Sequence, residues 1–234
     1  MPKTTNKSEL PKHIGIILDG NRRWARANNL PTFDGHKKGY ENLKTIVKAA
    51  MDDGVEFVSA YIFSTENWGR SKEEVSYLMR LLLWVAKNEI EEFNKYNIRV
   101  RFLGEESQLS AKVLKAIRNA EEKTKDNSGG TLLLCVNYGG KQEIASAVTR
   151  LIDDKPDNKT VTPEDIEKYL YEPSVPAIDL IIRSSGEQRI SNFMLWRAAY
   201  SELYFTDVHW PAFTTKDLSA ALNEYAARQR RFGV

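Results

Sequence analysis

The sequence predicts an α/β fold, in which a central, mostly parallel sheet is flanked by helices. Six short and largely continuous apolar runs alternate with longer segments of helical periodicity. Continuous apolar runs suit strands that are covered on both faces. Alternation of strands with helices favours parallel strands joined by crossover helices. A chain of 234 residues fits one large domain of this kind better than two small ones.

The predicted elements follow one another along the whole chain. Strands are predicted over residues 13–18, 57–63, 98–103, 132–136, 179–183 and 203–205. Helices are predicted over residues 40–53, 72–96, 110–125, 141–152, 163–169 and 216–229. We interpret residues 1–12 as a disordered or extended N-terminal segment and residues 13–234 as one domain.

Capping signals support several of the predicted helix ends. Ser71, with Glu74 three residues later, has the pattern of a capping box at the start of the second helix. The glycine pair at 129–130 is expected to end the third helix. Thr162 followed by Pro163 has the pattern of an N-cap with proline at the first helical position.

Composition narrows the classes of protein to which the chain can belong. Hydrophobic residues make up 41% and charged residues 28%, which excludes a disordered or fibrous chain. The formal net charge of +2 is too balanced for a general nucleic-acid binder, so no nucleic-acid partner is expected. Cys135 is the single cysteine, which excludes a disulfide framework and a cysteine-rich zinc site. Without an apolar run of ~18 residues or a signal peptide, we expect a cytoplasmic protein.

The helix predicted over residues 72–96 contains six consecutive apolar residues at positions 81–86. Six in a row cover every face of a helix, so that packing on the sheet can bury only part of them. The remaining side chains require a second apolar partner. That partner is further core, a second subunit or an apolar ligand.

A polar segment follows the first predicted strand, where ligands of parallel sheets bind. This segment is DGNRRW, residues 19–24. Its glycine allows a tight turn, Asn21 can cap the next helix, and the two arginines are suited to phosphate. Asp19 is an acid at an anion site, which Mg²⁺ would explain by bridging the carboxylate to phosphate. A plain Asp-Gly turn with surface arginines is the alternative.

Two more polar segments follow the second and fifth predicted strands. STENWGR, residues 64–70, suits either a pocket rim or an ordinary loop. RSSGEQRISN, residues 183–192, has the composition of a second phosphate site, with a salt-bridged surface turn as the alternative. Two such sites on one sheet edge would hold two pyrophosphate-like ligands side by side. His36 and Glu202 each have a functional and a structural interpretation that the residues alone do not separate.

Taken together, these segments resemble the cis-prenyltransferases, the undecaprenyl diphosphate synthase family. The motifs that carry the resemblance are HIGIILDGNRRWA (13–25), Gly35-His36 with Gly39, FSTENWGR (63–70), NYGG (137–140), RSSGEQRISN (183–192), ELYFT (202–206) and RRFG (230–233). They occur in the family's order and span residues 13–233, which is nearly the whole chain.

The resemblance implies a homodimeric, Mg²⁺-dependent isoprenyl transferase whose sheet and helices enclose an apolar tunnel. Such an enzyme adds isopentenyl diphosphate repeatedly to an allylic diphosphate, farnesyl or geranyl diphosphate, in cis geometry. The undecaprenyl carrier-lipid precursor is the expected product, and peripheral membrane contact through that lipid is implied. Alternatives are a short-chain cis-prenyl synthase, a relative that joins two allylic units, and a non-catalytic partner subunit. The last is disfavoured because Asp19, Arg183, Arg189 and Glu202 are all present.

The resemblance also implies roles for individual residues. Asp19 is the expected catalytic and metal-linked carboxylate, Glu202 the second metal ligand, and Asn67 the proposed proton acceptor, with substrate diphosphate or water as alternatives. The expected substrate-binding residues are Gly20, Asn21, Arg22, Arg23, Trp24 and His36 for the allylic diphosphate, Ser64, Thr65, Glu66, Trp68 and Arg70 at the substrate site, and Arg183, Arg189, Ile190 and Ser191 for isopentenyl diphosphate. Arg231 and Gly233 belong to a tail expected to reach the partner's active site.

Five residues depart from the family's usual pattern, and they leave starter preference and product length open. Thr32 stands where many bacterial members have arginine, and Gln188 where some have a metal-associated histidine. Arg22 replaces a frequent glycine and could supply the charge that Thr32 lacks. Lys141 replaces a usual arginine, and Ile62 a common alanine. Ile62 is predicted to lie near the tunnel mouth, where its larger side chain would narrow the tunnel. The alternative is that Ile62 only fills core.

Overall fold

The computed structural model describes residues 10–155 and 160–228. Residues 1–9 of the predicted N-terminal segment lie outside the described residues. Arg231 and Gly233 of the predicted shared tail also lie outside them.

The described residues form a six-stranded sheet whose paired strands are all parallel. The strands are β1 (His13–Ile17), β2 (Phe57–Ser64), β3 (Arg99–Leu103), β4 (Thr131–Tyr138), β5 (Leu180–Arg183) and β6 (Glu202–Phe205). Their order across the sheet is β3-β4-β2-β1-β5-β6. Each predicted strand is therefore present, with ends that differ by one or two residues. The predicted mostly parallel sheet is confirmed.

Helices cover both faces of this sheet. They are α1 (Asn21–Ala27), α2 (Thr32–Asp53), α3 (Lys72–Asn88), α4 (Ile90–Lys95), α5 (Ala111–Thr124), α6 (Gly140–Asp154), α7 (Pro163–Glu167) and α8 (Thr215–Ala227). Short 3₁₀ helices span Thr65–Gly69 and Trp210–Ala212. None of the helices in the described ranges is both long and apolar enough to cross a membrane.

Two predicted helix boundaries and one predicted stop signal were wrong. The helix predicted to start at residue 40 begins at Thr32, directly after Pro31. Its first turns lack an apolar periodicity, so the sequence pattern did not reveal this start. The single helix predicted over 72–96 divides at Glu89, whose carboxylate is bonded to Lys44 on α2 at 2.6 Å. The third helix ends at Thr124, before the glycine pair at 129–130. The Thr124 hydroxyl receives a hydrogen bond from the amide of Val100 on β3, which ties this helix end to the sheet.

The core lies in two layers, one on each side of the sheet. Ile14, Val58 and Leu132 belong to the layer beneath α2, α3 and α8. Leu133 and Cys135 belong to the other layer, so successive residues of β4 alternate between the two. This alternation explains the continuous apolar runs, since both faces of each central strand are buried.

Candidate active site

A cleft of about 800 Å³ opens beyond the carboxyl ends of β1, β2 and β5. All three polar segments singled out in the sequence contribute to its lining. The predicted site residues that line the cleft are Asp19, Gly20, Asn21, Arg22, Arg23, His36, Ser64, Glu66, Asn67, Arg70, Arg183 and Ser191. The sheet edge therefore brings together most of the predicted site.

Asp19 is held between two arginines at the centre of the cleft. Its carboxylate lies 2.9 Å from the Arg183 guanidinium and 3.1 Å from that of Arg23. Burial alone would raise the pKa of Asp19, but hydrogen bonds and the positive charges of Arg183 and Arg23 hold it below its usual value. Asp19 is therefore ionised at neutral pH.

The turn that follows Asp19 requires glycine. Gly20 has a φ of 96°, in the left-handed region, and its amide donates to the Asp19 carboxylate at 2.7 Å. Gly20 is also the N-cap of α1, so Asn21, expected as the cap, is instead the first helical residue. The Asn21 side-chain oxygen is buried with no hydrogen-bond partner among the described residues. A methyl group at Gly39 would approach within 2.2 Å of this oxygen, so glycine is needed there too.

The segment that begins at the end of β5 places Arg183 in the cleft and Arg189 outside it. Arg183 is buried and donates to the backbone oxygen of Arg189 and, at 2.8 Å, to the Ser191 hydroxyl. The Arg189 side chain is 61% exposed and is paired with Glu187 at 2.6 Å. Glu187 also lies 3.4 Å from Arg23. Arg189, although predicted to bind isopentenyl diphosphate, does not line the cleft.

The backbone of this segment adopts uncommon conformations. Ser185, Ser191, Asn192 and Met194 all have positive φ values, between 43° and 78°. Residues other than glycine in this region carry a conformational cost that persists only where the surrounding structure imposes it. Asn192 shows one such constraint, because its side-chain oxygen accepts the amide of Lys141 in the first turn of α6 at 2.9 Å.

Three basic side chains on the other side of the cleft converge on one buried acid, Glu74. The carboxylate of Glu74 lies 2.9 Å from Arg70, 3.3 Å from His36 and 3.5 Å from Arg22. Burial lowers the pKa of His36, although the Glu74 charge opposes that shift. The predicted capping box at Ser71 is half formed, since the Ser71 hydroxyl accepts the Glu74 amide while the Glu74 carboxylate faces the basic side chains.

The segment after β2 forms a 3₁₀ turn that constrains Asn67. Its side-chain oxygen accepts the amide of Ser64 at 3.2 Å, in a capping box. Trp68 does not line the cleft, because its indole N–H donates to Asn137 at 2.7 Å and its ring packs on Phe63. Thr65 is also absent from the lining, and its hydroxyl is buried without a hydrogen-bond partner among the described residues. Trp24 and Ile190 are described residues that likewise do not contribute to the lining.

Glu202 lies far from Asp19 within one chain. It begins β6, the edge strand, at the register level of Leu180 on β5, whereas Asp19 follows the opposite end of β1. At the usual strand spacing and rise, Ile17 and Glu202 are separated by roughly 14 Å between Cα atoms. The Glu202 carboxylate instead accepts a hydrogen bond from Arg228 at 2.6 Å.

An apolar cavity of about 100 Å³ adjoins the cleft between the sheet and helices α2 and α3. Residues that line both spaces are Leu18, Asn21, His36, Tyr61, Ile62 and Leu78. Leu81, Leu82 and Val85 of the α3 apolar run line the cavity, which accounts for part of that run. Trp84 is 46% exposed on the outside of the helix.

Several cleft residues had no role in the sequence prediction. Lining residues outside that prediction are Ile17, Leu18, Arg26, Tyr61, Leu78 and Asn192. Tyr61 is representative: it precedes Ile62 in β2, and its hydroxyl donates to the backbone oxygen of Ser191 at 3.2 Å. Arg26 could have been found, since it lies one helical turn after Arg22. Asn192 ends the polar segment already predicted as a phosphate site, although no role was given to it by itself. The remaining lining residues carry no local signal that separates them from core.

Asp19 is the acid best placed to contact a metal in this cleft. Within residues 10–155 and 160–228, no group of three or more histidine, cysteine or acidic residues is suited to holding a metal ion. Mg²⁺ commonly binds through one or two carboxylates together with substrate phosphates. An ionised aspartate beside two arginines of the cleft fits that mode.

Comparison with known proteins identifies the family. Residues 17–233 match the family model described as putative undecaprenyl diphosphate synthase. The chain belongs to this family. It is 46% identical over 226 residues to an isoprenyl transferase of Thermotoga maritima, covering 96% of this chain and 97% of the relative. It is 42% identical over 236 residues to a trans,polycis-polyprenyl diphosphate synthase of Thermobifida fusca, covering 99% and 84%.

Solved structures in the family have the same fold. A lavandulyl diphosphate synthase from Lavandula x intermedia, in complex with dimethylallyl diphosphate, superposes with a TM-score of 0.91 at 32% identity, covering 97% of this chain and 100% of that one. A probable undecaprenyl diphosphate synthase from Campylobacter jejuni gives 0.82 at 31% identity, covering 96% and 99%. The family resemblance and the α/β fold predicted from the sequence are therefore confirmed, and the reaction class is prenyl transfer.

Proposed function

We propose that this chain condenses isopentenyl diphosphate repeatedly with an allylic diphosphate, in cis geometry, to form a polyprenyl diphosphate. The observation that carries the proposal is the continuity of the arginine-rich cleft with the apolar cavity. A prenyl diphosphate likewise joins an anionic head to an apolar chain, so it matches a charged cleft that continues into an apolar cavity. The diphosphate would lie in the cleft, and the chain would lie along Ile62 and Leu78 into the cavity.

The residues of the cleft support ionisation of the allylic substrate. Arg23 and Arg22 are placed to stabilise the charge that develops on the departing diphosphate. Arg183, fixed by Asp19 and Ser191, is placed to hold the second diphosphate. Leu18, Ile62 and Leu78 would keep water from the allylic cation. When bound, Mg²⁺ held by Asp19 would supply further positive charge to the diphosphates.

The geometry supports positioning rather than proton abstraction by Asn67. Its oxygen accepts the Ser64 amide, so the amide N–H₂ group is the part left to contact substrate. An amide is also a weak base. We therefore favour the departing diphosphate, or a water bound to it, as the proton acceptor.

A homodimer is part of this proposal, because Glu202 cannot reach Asp19 within its own chain. Glu202 lies on the edge strand β6, beside Leu203, which is 38% exposed. A second subunit on this edge would allow Glu202 to complete the partner's metal site, and the tail with Arg231 and Gly233 to reach it. Two inactive variants, Asp19→Asn and Glu202→Gln, should then restore activity when mixed as heterodimers. Absence of recovery in verified heterodimers would remove Glu202 from a shared site.

Product length separates two candidate functions. The apolar cavity beside the cleft is small, at about 100 Å³, which keeps a short-chain synthase as the second candidate. An undecaprenyl chain would extend beyond this cavity. A product of that length would also bring the protein into peripheral contact with a membrane.

The test is incubation with radiolabelled isopentenyl diphosphate and a series of allylic starters, namely dimethylallyl, geranyl and farnesyl diphosphate. We expect incorporation with Mg²⁺ and its loss with a chelator. Asp19→Asn is the control for background incorporation. Chromatography of the dephosphorylated products separates the long-chain from the short-chain function. Absence of incorporation with every starter would contradict the proposal.

A further inference from the structure

Two loops hold the Asp19–Gly20 turn in place through hydrogen bonds to its backbone. The Ser184 hydroxyl accepts the Asp19 amide at 2.9 Å and donates to the Asp19 backbone oxygen at 2.8 Å. The amide of Trp210 donates to the same oxygen at 2.9 Å. The loops after β5 and β6 therefore meet beneath the turn that begins α1.

A serine–histidine pair lies at the centre of this meeting point. The Ser185 hydroxyl and His209 Nδ1 are 2.7 Å apart, within hydrogen-bond distance. Both atoms lie close to Gly20. A Cβ added there would be 2.5 Å from the Ser185 hydroxyl and 2.8 Å from His209 Nδ1. The pair thus contacts the turn directly, at the one residue whose missing side chain makes room for it.

Ser185 also connects this pair to Arg23. Its backbone oxygen accepts a hydrogen bond from the Arg23 guanidinium at 3.0 Å. Its φ of 78° lies in the left-handed region, which serine rarely adopts, and its amide is held by the backbone oxygen of Val208 at 2.9 Å. Serine is therefore kept in an unfavourable backbone conformation while its hydroxyl is bonded to His209. Glycine would adopt this conformation without strain but could not make that hydrogen bond.

We propose that Ser185 and His209 are positioning residues, which hold the Asp19–Gly20 turn and Arg23 in place for the allylic diphosphate. This inference rests on the proposed function for its substrate. Loss of the pair should lower kcat/KM for the allylic diphosphate by about 3- to 10-fold, the equivalent of one net hydrogen bond. The KM for isopentenyl diphosphate should change less than 2-fold, because Arg183 is held by separate contacts.

The chain offers a matched control in a second serine–histidine pair. The Ser59 hydroxyl lies 2.8 Å from His13 Nε2, buried in the sheet and away from the cleft. Ser59→Ala removes the same kind of hydrogen bond from the core. It should lower the melting temperature without changing kcat/KM for either substrate.

The test compares five variants by steady-state kinetics, thermal melting and ligand titration. His209→Leu and Ser185→Ala should each lower kcat/KM, and the double variant should be no worse than either alone. His209→Asn, whose amide can bond from the Nδ1 position, should restore activity to within about 3-fold of wild type. Ser185→Gly relieves the backbone strain, so it should keep the melting temperature within about 2–4 °C of wild type while lowering kcat/KM. If the pair were purely structural, kcat/KM would fall in step with the melting temperature in all five variants.

Calorimetric titration with inorganic pyrophosphate is the third readout, and it does not depend on prenyl transfer. We expect weaker pyrophosphate binding in His209→Leu and Ser185→Ala, with unchanged binding in Ser59→Ala. If wild type forms no product, the proposed function fails, and this titration still decides the present inference. Wild-type pyrophosphate affinity in both variants, or a double variant whose loss is the product of the single losses, would overturn it.

Discussion

Replacement of Ile62 by alanine tests whether the apolar cavity is the channel for the growing chain. Ile62 is partly buried at the end of β2 and lines both the cleft and the cavity. The substitution removes three carbon atoms. At ~30 Å³ for each carbon group, close to the volume of a water molecule, this removes roughly 90 Å³ of side chain from the wall shared by the cleft and the cavity. The passage for a prenyl chain between the cleft and the cavity would therefore widen.

The same substitution should have only a moderate effect on stability. Burial of three carbon groups contributes roughly 2.4 kcal/mol when complete, at ~0.8 kcal/mol each. Because Ile62 is only partly buried and already faces open space, we expect a loss of about 1–2 kcal/mol. A core isoleucine should lose about 2–5 kcal/mol, since its removal leaves a closed void. Ile16→Ala is the matched control, as Ile16 is buried on the same sheet face and lines neither space.

The assay is reverse-phase chromatography of dephosphorylated products after reaction with farnesyl diphosphate and radiolabelled isopentenyl diphosphate, alongside a thermal melt of each variant. Ile62→Ala should shift the products toward longer chains or speed the late condensations. Ile16→Ala should lower the melting temperature further and leave the product distribution unchanged. An unchanged distribution for Ile62→Ala, together with a melting temperature lowered as much as that of Ile16→Ala, would refute the channel role.

Three further predictions concern the cleft and the core. Asp19→Ala should lower kcat by at least ~100-fold in steady-state kinetics while allylic diphosphate still binds; near-normal turnover would exclude Asp19 from the chemistry. Arg183→Ala should weaken isopentenyl diphosphate binding by roughly 1.5–3 kcal/mol, and Arg189→Ala by less because its exposed side chain pairs with Glu187; equal losses in calorimetric titration would show that Arg189 turns into the cleft on binding. Burial lowers the pKa of His13 from 6.5 to about 4, so the unfolded chain binds a proton that the folded chain does not, and the free energy of unfolding should fall as pH drops from about 6.5 to about 4. Urea unfolding across that range should show less of this fall in His13→Gln, and an identical slope in both proteins would assign it elsewhere.

Local patterns predicted the elements well because they are encoded by neighbouring residues. The strand β4 is a continuous apolar run buried on both faces, and the sequence places it to within two residues. The division between α3 and α4 could not be predicted, because Glu89 is not a helix breaker and its bond to Lys44 joins residues distant in sequence. The seven-residue helix α1 buries only Ala25 and so lacks a periodic signal.

The site was predictable as a set of motifs but not as a geometry. The family motifs identified Asp19 and Arg183, which are 164 residues apart in sequence and meet only because β1 and β5 are neighbours. Glu74, which contacts three cleft side chains, was interpreted only as part of a helix cap. Arg189 was assigned to substrate by its motif, yet its side chain is held outside the cleft by Glu187. Side-chain direction and long-range pairing are set by the folded sheet, and no local pattern specifies them.

The geometry of the newly formed double bonds distinguishes cis chain elongation from every other prenyl condensation. Purified wild-type protein would be incubated with farnesyl diphosphate, carbon-13-labelled isopentenyl diphosphate and Mg²⁺, and the extracted product analysed by NMR and mass spectrometry. We expect a linear product in which each added unit carries a cis double bond, and no such product from Asp19→Asn. Trans double bonds, a branched product from two allylic units, or no product at all would contradict the proposed function.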